Sequence, residues 1–348
     1  MDRCRAEVDL SRLKKNFETI KEKCDDVFAV VKANAYGHGA TEVAKTLEEC
    51  GCEKFAVASV YEAESLRKNG INGEIAILGF CEDFGLAREI AARPLVYDEH
   101  TLRLAKKYDA EVFVKINTGM NRLGFSTIGE TASAVKNLRV LGVFTHLSSA
   151  DGDDATDRRI TEAQIKNFME AELVVKNEKD VPFYAENSAA LIKYGKFFDG
   201  ARIGIALYGV NPVPGDKTPL LPVMTFRAAV IAINTVKKGD FIGYSRGYRA
   251  KKDMRVAIIS TGYADGLPRA LSNKGMIFCN GQFLKIVGKV SMDSVAVDAG
   301  DADVTIMDEV VVFGDEITVT DVANRADTLP YEILTGVSER VKRVYKNP

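Results

Sequence analysis

Short β-rich runs alternate with helical stretches through the first two-thirds of this chain. That alternation constrains the fold more than any other feature. The runs are Val27–Val31, Lys54–Ser59, Ile75–Phe80, Leu95–Tyr97, Glu111–Ile116, Val140–His146, Phe183–Glu186 and Ile203–Tyr208. Between them lie helix-like segments such as Thr41–Glu49, Val60–Lys68, Phe84–Ala92, Glu99–Tyr108, Glu162–Asn177 and Ala189–Phe198. Strands alternating with helices of this length imply βαβ units and a parallel sheet. Eight such runs fit a closed (β/α)8 barrel of the TIM type better than an open doubly wound sheet. An open sheet would carry a dinucleotide fingerprint after its first strand, and Gly37-His38-Gly39 does not continue into G-x-G-x-x-G.

The texture changes after Pro222. Helical periodicity gives way to β-branched runs at Val223–Ile233, Asp253–Ile259, Gln282–Val287, Ser294–Val297 and Glu309–Phe313. Lys238-Gly239-Asp240, Asn280-Gly281 and Gly314-Asp315 punctuate them as turns. Pro212, Pro214, Gly215, Pro219 and Pro222 form a stiff connector between the two textures. The expectation is an α/β barrel over residues 8–222 and a mostly antiparallel β domain over residues 223–348, joined by residues 1–7 and closed by a helix near Tyr331–Glu339.

Charge and composition exclude several function classes. A formal net charge of −2 argues against a nucleic-acid surface but leaves room for a local phosphate pocket. No apolar stretch approaches the roughly 20 residues of a membrane span. The start, Met1-Asp2-Arg3-Cys4-Arg5, has no apolar signal-peptide core behind it. A cytoplasmic protein is expected, although the soluble part of a membrane-anchored parent would read the same. Six scattered cysteines without a C-x-x-C pair read as reduced thiols, and only three histidines argue against a histidine-rich metal site, so no metal is expected.

Polar residues collect at the C-terminal ends of the runs, where barrels of this type place their active sites. Lys32 ends the first run, at the mouth of a Gly-rich turn. Burial disfavours a charged amine, so a lysine there tends towards the neutral nucleophile that condenses with carbonyl groups. Arg122 follows the fifth run, His146 ends the sixth, and Ser188 follows the seventh. Arg202 stands just before the eighth, which Tyr208-Gly209 ends. Taken singly, His146 reads as a hydrogen-bonded structural residue, Arg202 as an ion-pair partner and Ser188 as a helix N-cap. A capped helix start beyond a barrel strand is also a phosphate site.

Several runs carry a family resemblance. Ala29-Val-Val-Lys-Ala-Asn-Ala-Tyr-Gly-His-Gly-Ala40 resembles the pyridoxal-phosphate attachment segment of the alanine racemases. Further matches follow in order: Lys-x-x-Thr-Gly-Met-x-Arg-x-Gly-Phe over 115–125, Phe144-Thr-His-Leu, Asn187-Ser-Ala-Ala and Arg202-Ile-Gly-Ile-Ala-Leu-Tyr-Gly. Gly262-Tyr-Ala-Asp-Gly-Leu-Pro-Arg, Val290-Ser-Met-Asp and Pro330-Tyr-Glu complete the series.

The resemblance implies a homodimer with shared active sites and pyridoxal 5′-phosphate as cofactor. It implies interconversion of L- and D-alanine by two bases, supplying D-alanine for peptidoglycan. Lys32 would be both Schiff-base lysine and one base, and Tyr263 the opposite base, arriving from the partner subunit. A tyrosine needs help in that role, its ordinary pKa being about 10. Arg202 would face the pyridine nitrogen, with His146 beside the ring and hydrogen-bonded towards Arg202. Tyr36, Ser188, Tyr331 and the backbone at Gly204 would hold the phosphate. Arg122, Met292 and Asp293 would shape the substrate pocket, and Lys115 would be a carbamylated lysine steadying Arg122. Asn117 departs from the family's usual aspartate and Ser291 from a common cysteine. Alternatives are a serine racemase domain of the vancomycin-resistance type, an amino-acid decarboxylase on the same plan, and a barrel-only pyridoxal-phosphate-binding homeostasis protein. The last lacks a β domain and any counterpart of Tyr263.

Overall fold

A computed structural model of the chain describes residues 3–347. Met1, Asp2 and Pro348, which the sequence reading assigns to the β domain, lie outside the described residues. The chain forms two compact units. One comprises Leu13–Ala35 and Ala40–Leu221; the other comprises the segment up to Arg12, Tyr36–Gly39 and the chain from Pro222 onward.

The first unit is a closed barrel of eight parallel strands: Val27–Val30, Lys54–Val57, Glu74–Ile77, Ala92–Val96, Glu111–Lys115, Arg139–Phe144, Phe183–Glu186 and Gly200–Ile203. The last strand pairs with the first through Val27 and Ala201. The strands read as short apolar runs because they are covered on both faces, by helices outside and by each other's side chains within. Phe28, Phe113, Phe144 and Tyr184 fill the interior, with Phe113 stacked on Phe144 at 4.4 Å and Phe28 edge-on to Tyr184 at 5.2 Å.

Around the strand starts the charges alternate in sign from neighbour to neighbour: Asp26, Lys54, Glu74, Arg93, Glu111, Arg139. Lys54 Nζ lies 2.6 Å from Asp26 Oδ2. Glu111 takes Arg93 on one oxygen and Arg139 on the other, each at 2.7 Å. Burial pushes the Glu74 carboxyl up, against the pull of Lys54 and Arg93. This end of the barrel is internally compensated.

The eighth strand corrects the sequence reading. The strand is Gly200–Ile203, and Ile205–Tyr208 forms a 3₁₀ turn instead of extended chain. A short buried apolar run looks alike in strand and helix, and Gly204 (φ −114°, ψ −90°) breaks the extended conformation between them. Arg202 therefore lies within the strand. The helix expected at Glu162–Asn177 begins earlier, spanning Ala155–Val175, because Asp154 caps it by accepting from the Thr156 and Asp157 amides.

In the second unit eight strands form one sheet, in the order Met254–Ile259, Val295–Asp298, Gln282–Ile286, Met276–Cys279, Glu309–Phe313, Met224–Val236, Cys4–Asp9 and Lys342–Lys346. A further pairing of Met224–Val236 with Met254–Ile259 closes six of them into a ring. All neighbours run antiparallel except Cys4–Asp9 with Lys342–Lys346. The expected terminal helix is shorter, Pro330–Thr335, and is preceded by Val319–Ala326. Among the described residues no helix is long and apolar enough to cross a membrane.

Replacing Phe113 with Ala removes a ring from the fully packed barrel interior, for which about 3–5 kcal/mol of unfolding free energy is the expected loss. Urea denaturation of both proteins measures it. A loss below about 1 kcal/mol would show that the four rings are not a shared core.

Candidate active site

The turn after the first strand is the least ordinary backbone in the chain. Ala33, Asn34, Ala35 and Tyr36 all adopt left-handed conformations, with φ between 51° and 54°. Each such non-glycine residue costs about 1–2 kcal/mol, so other contacts must hold the turn. Glu62, in the first turn of helix Val60–Lys68, accepts from the Ala33 amide at 2.8 Å and from the Ala58 amide at 2.6 Å. Asn34 Oδ1 accepts from the Ala40 amide at 2.8 Å, and the Ala35 amide donates to Val31 at 2.8 Å. Lys32, half-buried, opens this turn.

Four more strand ends bring polar groups to the same rim. Lys115 is the last residue of the fifth strand and is only 8% exposed. The loop beyond it folds back, the Phe125 amide donating to Lys115 O at 2.8 Å and the Asn117 amide to Phe125 O at 2.9 Å. Gly124 (φ +136°) permits this closure, because a Cβ there would collide with the backbone of Ile116 and Asn117. Asn117 Oδ1 accepts from the amides of Gly119 and Asn121, so the residue that departs from the family pattern shapes the loop carrying exposed Arg122. His146 lies two residues beyond the sixth strand.

Ser188 is not the helix cap that the sequence suggested. Asn187 caps Ser188–Tyr194, its Oδ1 accepting from the Ala190 amide at 2.9 Å. Asn187 sits one residue before the helix, where a side-chain oxygen reaches the free amides. Ser188 Oγ is thereby left to accept from the Gly204 amide at 3.2 Å and the Ala206 amide at 3.4 Å.

Arg202, 5% exposed, is pinned by backbone. Its Nη1 donates to Tyr184 O at 2.6 Å, and its Nη2 donates to Thr145 O and, at 3.2 Å, to Ala185 O. The guanidinium lies over the Phe144 ring, 4.9 Å from its centroid. Among the described residues no acceptor meets its Nε–H. Among the described residues no hydrogen bond joins His146 to Arg202, whose Nη groups donate to three backbone carbonyls. Burial draws Arg202 down to about 10, with Glu186 opposing, which leaves it charged at neutral pH.

The rim gathers more cations than carboxylates, with Lys32, Lys115, Arg122 and Arg202 set against Glu62 and Glu186. Lys115 is pulled down to about 8, first by burial and then by Arg202, Arg122 and Lys32. Burial and Arg122 lower Lys32, with Glu62 pulling the other way. His146 is driven well below the ordinary histidine range by burial, Arg202, Lys115, Arg122 and Lys32 in turn, and is neutral at physiological pH. Sequence reasoning missed the supporting residues. Gln164, 2% exposed, ties the two loops by donating to Thr118 Oγ1 at 3.3 Å and His146 O at 3.1 Å. Glu186, fully buried, accepts from the amides of Phe197 and Phe198. Buried polar side chains without apolar periodicity were the available signal.

The β unit gathers the remaining predicted residues by itself. Tyr36 and Tyr331 pair with ring centroids 6.0 Å apart, and burial raises the Tyr36 phenol. Tyr263, 44% exposed, and Met292, 51% exposed, sit on two loops stitched by backbone, the Tyr263 amide donating to Ser291 O at 3.0 Å and the Ala264 amide to Met292 O at 3.1 Å. Asp293 is exposed beside Met292.

Barrel and rim together set half-buried Lys32 among cationic side chains at the strand ends. Comparison with known proteins gives that arrangement its family. Residues 8–212 match the alanine racemase N-terminal domain, and residues 223–345 match the alanine racemase C-terminal domain. The alanine racemase of Halothermothrix orenii is 37% identical over 98% of this chain and 96% of its own length. That of Aquifex aeolicus is 35% identical, covering 99% of each. Among solved structures, the alanine racemase of Clostridium difficile 630 superposes with a TM-score of 0.92 at 31% identity, over 99% of this chain and 96% of that one. The Bartonella henselae enzyme, solved with covalently bound pyridoxal phosphate, gives 0.89 at 31% identity, over 99% and 100%. The chain belongs to the alanine racemase family.

Lys115 binds its proton more weakly in the folded chain than in the unfolded one. Below about pH 8 both states are protonated and the fold bears the full cost of the buried charge. Towards the ordinary lysine value of 10.5 the folded chain sheds its proton first, so stability rises with pH across that window. The gain is on the order of 3 kcal/mol. Lys115→Met should flatten this rise in urea titrations between pH 7.5 and 10.5 in buffer free of carbon dioxide, to the extent of that amount. An unchanged slope would remove Lys115 as its source.

Proposed function

We propose that the chain is a pyridoxal-5′-phosphate-dependent racemase that interconverts L- and D-alanine, working as a homodimer with shared active sites. The observation that carries this reading is the net cationic rim around Lys32. An aldehyde cofactor bearing a phosphate needs an amine of lowered basicity, anion donors and a fixed cation, and the lowered basicity of Lys32 and the pinned, charged Arg202 support the reading. Lys32 would hold the cofactor covalently. Ser188 and the backbone at Gly204, with Tyr36 and Tyr331 from the β unit, would hold its phosphate. The free Nε–H of Arg202 would meet the pyridine nitrogen, and a permanently charged donor there keeps that nitrogen unprotonated. His146, kept neutral by its surroundings, would lie beside the ring. The cofactor supplies an electron sink that makes the substrate's α-proton removable.

The protein's own work is then proton handling and orientation. Lys32 Nζ would take or return the α-proton on one face, its lowered basicity keeping a share of the amine neutral. Tyr263 Oη of the partner subunit would serve the other face. Arg122 would orient the substrate carboxylate, with Met292 and Asp293 bounding the side-chain pocket. Lys115, a weakly basic amine among three cations, would add carbon dioxide and release a proton. The carbamate anion so formed would offset the charge of Arg122. The relatives named above are alanine racemases, which favours alanine over serine. The physiological reading is D-alanine supply for peptidoglycan by a cytoplasmic enzyme.

Chiral analysis of product from L-alanine and L-serine tests the activity, and faster turnover of serine would overturn the substrate assignment. Tyr263→Phe should lower α-proton removal from L-alanine by about 100-fold or more while retaining the cofactor's visible absorbance. Lys32→Ala should lose that absorbance. Racemisation at the parental rate in Tyr263→Phe would sink the two-base assignment.

A further inference from the structure

We propose that Asp265 is a positioning residue that binds the loop carrying Tyr263 to the loop carrying Met292 and Asp293, so that the two loops move as one body. The inference deepens the racemase reading and rests on it. Asp265 is fully buried. A buried carboxylate is costly unless paired and hydrogen-bonded, and here every direction is met. Oδ1 accepts from Arg340 Nε at 2.7 Å; Oδ2 accepts from Arg3 Nη2 and from the Gly262 amide at 2.9 Å.

Both arginines continue to the neighbouring loop. Arg340 Nη2 donates to Asp293 Oδ1 at 2.8 Å, and Arg3 Nη2 donates to Asp293 O at 3.2 Å. The carboxylate thus sits at the centre of a double bracket whose outer ends grip Asp293. Beneath it the Tyr263 and Ala264 amides donate to Ser291 O and Met292 O. Gly262 packs so tightly on those same two carbonyls that a Cβ would collide with them. A third anchor comes from the Ser338 amide, which donates to Asp265 O at 3.2 Å.

Asp265 does not hydrogen-bond to the Tyr263 side chain. It acts through the loop. A buried ion pair is weak evidence for stability, but it is an effective device for fixing one register among several. Registry is what a proton-transfer group needs, since a displacement of about 1 Å can cost on the order of 100-fold in rate.

The test compares the parent with Asp265→Asn, which keeps the shape and removes the charge, and with Arg340→Ala, which cuts the bracket at a partly exposed residue. Hydrogen exchange on each purified protein should show the Tyr263 and Ala264 amides opening about tenfold faster, together with the segment 291–293. With α-deuterated substrates, the isotope effect should rise for L-alanine, whose proton Tyr263 removes, and fall for D-alanine, whose proton Lys32 removes. A merely structural loss would move both effects alike. Parental exchange rates in both loops, or isotope effects that change together for the two enantiomers, would overturn the proposal. Should Asp265→Asn fail to fold, Arg340→Ala alone decides it by the same two readouts. A parent that does not racemise alanine, with loop amides responding as stated, would instead overturn the racemase reading and leave the loop coupling standing.

Discussion

Positive charge gathered in excess of its local counter-charge is the constraint on which the rest of this site depends. Lys32, Lys115, Arg122 and Arg202 share one end of the barrel, and Glu62 and Glu186 offset them only in part. Glu62 accepts from two backbone amides, and Glu186 from two others in the protein interior. Burial, and after it repulsion of this kind, lowers the basicity of Lys32 and Lys115 and keeps His146 neutral. It also destabilises the ligand-free protein, a cost an anionic ligand would relieve. The opposite end of the same barrel shows the contrast, with acids and bases alternating from strand to strand.

Rigid positioning of the groups comes from polar side chains that bind backbone. Arg202 donates to three carbonyls of the sixth and seventh strand regions, which fixes its plane and leaves its Nε–H free. Gln164 ties two rim loops, and Glu62 holds the left-handed turn that begins after Lys32. In the β unit Asp265 has a similar part, surrounded by donors from Arg3, Arg340 and Gly262. Each of these residues would be expensive to bury without its partners, and each is buried or half-buried where a loop bearing a candidate functional group must be held still.

Much of the fold was legible because barrel strands flanked by helices leave short apolar runs at regular intervals. The count of eight and the placement of Lys32, Arg122, His146, Ser188 and Arg202 at the rim follow from that periodicity. Ile205–Tyr208 was misread as strand because four buried apolar residues carry no period, and only Gly204 marks the break. Ser188 was misread as a cap because Asn187 offers the same chemistry one residue earlier. Glu62, Gln164 and Asp265 were not legible as supporting residues. Their partners lie elsewhere in the chain or belong to the backbone, and side-chain patterns do not record backbone amides. The left-handed turn was equally hidden, since Ala33 and Ala35 favour ordinary helix locally and tertiary contacts override that preference.

Two bases acting from opposite faces is the central claim, and isotope tracing in heavy water tests it most directly. L-alanine is racemised in D₂O for a small fraction of a turnover cycle, and both enantiomers are then separated and analysed by mass. Two bases predict deuterium at the α-carbon of the D-alanine formed, while the recovered L-alanine keeps its original proton. Deuterium appearing equally early in the recovered L-alanine would contradict the account, because a single group would then be serving both faces.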